Sequence, residues 1–147
     1  NGVSAHLIER LLTSPLKGGL PVTAPIGMDV VDVRDVADLH VRAMTTETAN
    51  GERFIASAGY IDLPDIARLL RAKLPPLAAR KVPSATIPLW LIRVLVNRFG
   101  VFKSLHNEVG YIRKFSHDKA ELQLGWRPRS LEEAILATAE SILAKRA

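Results

Sequence analysis

The chain has 147 residues, 48% hydrophobic and 24% charged, with a formal net charge of +5, which fits one domain with a real core and argues against global disorder. It has no cysteine, which excludes disulfides, a thiolate nucleophile and cysteine-based zinc or iron–sulfur sites and agrees with a cytoplasmic setting. The start, Asn1-Gly2-Val3-Ser4, does not read as a signal peptide, and no apolar run reaches the roughly 18 residues of a membrane span.

In chain order, Ser4 is placed to cap a helix over about residues 5–14, with Leu7, Ile8, Leu11 and Leu12 on one face. Ser14-Pro15 and Gly18-Gly19 end it, and Pro21 to Gly27 reads as an extended loop. Met28 to Val33 reads as a strand, and Asp35 as the N-cap of a helix reaching Met44. Asn50-Gly51 signals a turn, followed by a short strand Arg53-Phe54-Ile55-Ala56. Asp62 caps the next helix, with Pro64 in its first turn and Ile66, Leu69, Leu70 and Leu74 as its buried stripe. Pro75-Pro76 stops it, and Lys81-Val82-Pro83 reads as a short extended piece. A helix is expected over roughly 88–99, and Ser116 is placed to cap a short one ending at Leu124-Gly125. Ser130-Leu131-Glu132-Glu133 forms a capping box opening a terminal helix with Ala134, Ile135, Thr138 and Ile142 on one face. Two strands among helices imply α/β packing, yet two are too few for a self-contained parallel sheet.

The charge excess falls in residues 80–114, where Arg80, Lys81, Arg93, Arg98, Lys103, Arg113 and Lys114 stand against Glu108 alone. Such a field could attract phosphate-bearing ligands, nucleic acid or acidic lipid, but a solvated face is the simpler reading. No recognition-helix motif accompanies it, so nucleic acid and membrane are not expected partners. The helix at 88–99, with Trp90, reads as core rather than as a membrane-surface element.

The chain lacks the usual apparatus of dinucleotide chemistry. Its glycines show no Gly-x-Gly-x-x-Gly or Gly-x-x-Gly-x-x-Gly spacing, so no tight turn brings a pyrophosphate to a helix N-terminus. A Tyr-x-x-x-Lys pair sets a phenol beside an ammonium that lowers its pKa for proton transfer. Here Pro64 stands four residues after Tyr60 and Phe115 four after Tyr111. His6, His40, His106 and His117 show no metal-ligand spacing. His40 reads as a hydrogen-bonded structural histidine near core positions and His117 as solvent-facing. Asp32, Asp35 and Asp38 lack the glycine turn and terminal glutamate of a calcium loop, and read as capping and ion-pairing groups for Arg34 or Arg42. No catalytic, cofactor-binding or metal-binding residue is therefore assigned.

Three segments together resemble the extended short-chain dehydrogenase/reductase family, in the branch of dihydroflavonol reductases, cinnamoyl-CoA reductases and related NAD-dependent epimerase/dehydratases. They are Val31 to Met44; Gly51 to Ser57 followed by Asp62 to Leu74; and Asp118-Lys119-Ala120 through Leu124-Gly125-Trp126-Arg127-Pro128 to Ala134. The resemblance implies a mostly helical α/β fold with few short strands: the C-terminal substrate-binding lobe of a Rossmann-type enzyme. The whole of 1–147 would be that portion, with the N-terminal dinucleotide-binding domain absent. It further implies that Arg53 to Ala56 is an edge strand of the Rossmann sheet and that Gly27, Met28 and Asp29 line the substrate pocket. Some relatives carry a glutamine-type contact there, from which Met28 and Asp29 differ.

The expected function is thus the substrate-binding part of an NAD(P)-dependent carbonyl or alcohol reductase or epimerase, inactive alone, with NAD or NADP bound only by the full-length parent. Its expected partners are the missing N-terminal half or a second copy, because open strand edges and uncovered apolar helix faces promote association, and a small carbonyl or alcohol substrate in the parent. The alternative is a non-catalytic regulatory or scaffolding module that keeps the lobe's fold and binds a partner or small metabolite.

Overall fold

The computed structural model describes residues 3–13, 19–92, 94 and 114–145. Its elements are α1 (Val3–Leu11), β1 (Gly27–Val30), α2 (Val33–Thr45), a single 3-10 turn at Glu47–Ala49, β2 (Gly59–Asp62), α3 (Leu63–Lys73), α4 (Pro76–Ala79), α5 (Asp118–Leu124) and α6 (Leu131–Ala144). The result is a mostly helical α/β chain with one two-stranded sheet, β1 beside β2. Ala58 N donates to Val30 O and Leu63 N to Ile26 O, so the strands run in opposite directions.

The helices begin where capping side chains satisfy their free N–H groups. Asp62 accepts from Asp65 N at 2.9 Å, Pro64 occupies the first turn of α3, and Arg71 and Lys73 complement the dipole of its last turn. At α6, Ser130 Oγ accepts from Glu133 N while Ser130 N donates to Glu133 Oε2, the reciprocal pair expected of a capping box. Gly125, at φ 61°, ends α5 in the left-handed region that a side chain disfavours.

By contact the chain divides into two units. One comprises Asn1–Met28, Ile61–Ile112 and Ile135–Ala147; the other comprises Asp29–Tyr60 and Arg113–Ala134. In the first, Ile8, Leu11 and Leu12 of the α1 segment are buried, as are Leu63, Ile66, Ala67 and Leu70 of α3 and Ile135 and Ala139 of α6. Each fully buried Leu or Ile contributes about 1.5–3 kcal/mol. In the second, Leu39, Ala49, Ala120, Leu124 and Trp126 form the core, with Val31, Ala43, Phe54 and Ala56 packed against it.

Several expectations need correction. The first strand ends at Val30, not Val33, and Asp32 rather than Asp35 caps α2. Helix α1 begins at Val3, so Ser4 falls inside it. Arg53–Ala56 joins no strand, whereas Gly59–Asp62, which ends on the capping Asp62, pairs with β1. Pro75-Pro76 ends α3 yet opens the one-turn helix α4, where proline's fixed φ suits the first position. Pro21 to Gly27 is not wholly irregular, since Thr23 makes a parallel bridge with Thr86. Residues 89–92 and 94 are helical; the rest of the helix expected at 88–99, the break at 14–18 and most of the basic stretch lie outside the described residues.

Candidate functional site

Gly27, Met28 and Asp29 occupy three successive positions of β1, all half-buried. Side chains alternate along a strand, so Gly27 and Asp29 share one face and Met28 projects to the other. A single wall built from β1 therefore presents either the Asp29 carboxylate or the Met28 thioether. Asp29 is held in place: Ser57, 1% exposed, donates its hydroxyl to Asp29 Oδ1 at 2.6 Å. Gly59 N donates in turn to Ser57 Oγ at 3.2 Å. Gly59 sits at φ 139°, a region favouring glycine, which lets the chain turn from Ser57 into β2. Oδ2 of Asp29 accepts from no described residue and can receive a hydroxyl or amine hydrogen. Nothing in the local pattern of Ala56-Ser57-Ala58 marks Ser57 as the partner of a residue 28 positions away.

The three aspartates around the start of α2 are committed to structure. Asp32 caps the helix, accepting from Arg34 N at 2.9 Å, and takes a two-pronged hydrogen bond from the Arg34 guanidinium at 2.9 and 2.6 Å. That side-chain bond holds the Asp32 carboxyl down at about 2, against burial, which raises it. Asp35 is buried and receives Arg129 N at 2.8 Å together with the Arg129 guanidinium. Its backbone carbonyl accepts the Trp126 indole N–H, also at 2.8 Å. Asp38 pairs with Arg42 at 2.7 Å, and Arg42 reaches the Leu124 and Gly125 carbonyls at the C-terminal end of α5. The run Gly125 to Ser130 is thereby fastened to α2 through its polar groups, while Trp126 fills the core beneath.

The histidines differ from expectation. His40 is hydrogen-bonded through Nδ1 to Val36 O, but it is exposed rather than near the core. His117 is not turned to solvent; it is half-buried and packs edge-on against Trp126 with centroids 5.7 Å apart. Among the described residues, no group of three or more His, Asp or Glu side chains is placed to hold a metal ion, and no helix is long and apolar enough to cross a membrane. The positive-φ glycines, Gly51, Gly59 and Gly125, are isolated from one another in sequence, so the described backbone offers no glycine-rich phosphate cradle and does not fit a dinucleotide.

No protein-family model matches the chain. A ketoreductase of Aspergillus niger, azaE, is 39% identical over 82 residues, covering 55% of this chain and 24% of that protein. Among solved structures, the yeast methylglyoxal/isovaleraldehyde reductase Gre2 complexed with NADPH matches with a TM-score of 0.66 and 25% identity, over 98% of this chain and 41% of that one. The protein gox2253 matches with a TM-score of 0.67 and 23% identity, over all of this chain and 44% of that one. Gre2 of Candida albicans matches at 0.66 and 21%, over 97% of this chain and 37% of its own. The mostly helical α/β architecture with its two-stranded sheet is thus the fold of a portion of these proteins. The chain spans a quarter of the ketoreductase it resembles and about two-fifths of the yeast reductase.

Proposed function

We propose that this chain is the substrate-side portion of a cytoplasmic NAD(P)-dependent short-chain dehydrogenase/reductase acting on small carbonyl compounds. The observation that carries the reading is the match over 98% of the chain to a reductase complexed with NADPH. The ketoreductase similarity supports the same reaction class. The finer kinship, with dihydroflavonol-reductase-like and epimerase enzymes, rests on the Val31 to Met44 and Gly125 to Ala134 segments.

In this reading a preceding domain supplies the glycine-rich cradle and the Tyr-x-x-x-Lys pair, because the residues here form neither. Two features support such a neighbour. The backbone of Arg53–Ala56 makes no backbone hydrogen bond with another described residue, as an edge strand awaiting a sheet would. On α2, Val33, Ala37, Val41 and Met44 follow helical spacing, and the three large ones are 78%, 60% and 85% exposed. The contribution of this chain is then recognition. Asp29, on the same strand face as Gly27, accepts a hydrogen bond from a substrate hydroxyl, and Ser57 keeps the carboxylate oriented.

Expressing the chain together with the reading frame that precedes Asn1 tests the proposal. The expected result is carbonyl-dependent oxidation of NADPH or NADH by the longer product, and none by residues 1–147 alone. Turnover by residues 1–147 alone, or a longer product that folds but reduces no carbonyl across an aldehyde and ketone panel, would overturn it. The latter outcome would favour the regulatory or scaffolding module.

A further inference from the structure

Away from β1, the first unit contains a cleft of about 180 Å³ between α3 and the bridged segments at Thr23 and Thr86. Ala67, Arg68 and Arg71 line it from α3, and Thr23, Ser84 and Thr86 from the other side. That volume lies below the ~300–1,000 Å³ typical of sites for drug-sized ligands. It corresponds to several water molecules at ~30 Å³ each, enough for an ionic head group rather than a whole cofactor.

The lining chemistry selects a sign of charge. Arg71 is anchored by one donor, Nη1 to Val82 O at 3.0 Å, which fixes the guanidinium while leaving its remaining N–H groups without a described partner. A guanidinium held in this way loses less side-chain freedom when it binds an oxyanion. Arg68 also lines the cleft, its charge shared with Asp65 on the same helix. No carboxylate lines the cleft; Asp65 is engaged with Arg68, and Asp62 caps α3. Ser84 offers an exposed hydroxyl with no described partner. Thr86 and Thr23 share one hydroxyl hydrogen bond at 2.8 Å, and Thr23 Oγ1 donates to Ala85 O at 3.2 Å. Arg80 and Lys81, where the basic stretch of the sequence begins, stand just before Val82 and the Pro83–Ser84 wall.

We infer that the cleft is an anion subsite in which Arg71, with Arg68 and Ser84, binds the phosphate group of a small phosphorylated molecule. A phosphoryl group has three oxygens to share among two guanidinium groups and a hydroxyl, whereas a carboxylate has two. The site is independent of the reductase reading, and neither stands or falls with the other.

The test is an NMR titration of the isotopically labelled full chain with inorganic phosphate, against potassium chloride and potassium acetate at matched ionic strength. Saturable phosphate shifts are expected at the Arg71 Nε–Hε and the Ser84 amide. Arg71→Gln is expected to weaken phosphate binding about 10-fold or more, a loss of one charge-assisted hydrogen-bonding group. Ser84→Ala, at an exposed position with no described bond to lose, is expected to weaken it about 3-fold on an intact fold, and Arg80→Gln to leave it within about 2-fold. If Arg71→Gln does not fold, the wild-type shift map and Ser84→Ala decide. Equal responses to phosphate and chloride, or shifts that avoid Arg71 and Ser84, overturn the subsite; acetate binding as tightly as phosphate overturns the phosphate assignment.

Discussion

The two units of this chain are stabilised by different means. In the unit containing α1 and α3, order comes from leucine and isoleucine faces: Leu11, Leu12, Ile66, Leu70 and Ile135 are all but fully buried. In the unit containing α2 and α5, one indole sits at the centre of a polar scaffold built from Asp32–Arg34, Asp35–Arg129, Asp38–Arg42 and Glu52–Lys119. The first unit buries the apolar face of α3 but leaves Leu77, Trp90 and Val94 exposed. The second leaves a continuous stripe of α2, Val33, Val41 and Met44, in solvent and the segment Arg53–Ala56 without a ladder. Ion pairs fix geometry without needing much buried area, so a polar scaffold can stay ordered while keeping an apolar surface available.

The largest expected effect is that of Trp126→Ala. It removes a fully buried ring and leaves Asp35 O without its donor, at about 3–5 kcal/mol. Hydrogen exchange should show protection lost in 29–60 and 114–134 first. Leu70→Ala, at about 2–5 kcal/mol, should instead expose amides of α3. If both variants open the same amides, the contrast between the units fails. Asp35→Asn removes the carboxylate facing Arg129; because Arg129 is about two-fifths exposed, the expected loss is a modest 1–2 kcal/mol or so in urea unfolding.

Acid sharpens the contrast further. The folded Asp32 carboxyl lies at about 2, below its ordinary 3.8. The folded state therefore binds fewer protons there, and the stability this contributes is full above about pH 4 and lost as the pH falls toward 2. Asp32→Asn should flatten that part of the stability profile, and Leu70→Ala should not. The smallest expected effect is that of Gly125→Ala. A Cβ there would meet only Arg42 Nη1 at 3.7 Å, so the cost is the backbone conformation alone, about 1 kcal/mol in thermal unfolding.

Where a single turn of backbone decides the outcome, the sequence was readable. The Asp62 cap, the Ser130–Glu133 box and the apolar face of α3 are all satisfied within four residues, and each is present. Asp35 shows the limit. Both Asp32 and Asp35 have cap chemistry; Asp32 caps with Arg34 beside it, while Asp35 is taken up by Arg129, 94 positions along the chain, a partner no local pattern contains. The strand at Gly59–Asp62 was hidden by its ends, a glycine and a capping aspartate, which read as turn residues and leave too few apolar positions to show alternation. Arg53–Ala56 had the better composition and no partner, since a strand is defined by what it pairs with. At the candidate site, Asp29 enters through family resemblance, while Ser57, which donates to it, has no local signal that marks it.

The environments of Trp126 and Trp90 have a practical consequence. Trp126 is fully buried in the α2–α5 unit, while Trp90, in the other, is 67% exposed. These are the chain's two tryptophans, so its intrinsic fluorescence has a shielded and a water-bathed emitter. Replacing either with phenylalanine would leave a single lamp, and acrylamide would dim the outer one long before the inner, so that each half of the molecule can be watched in turn without any attached dye.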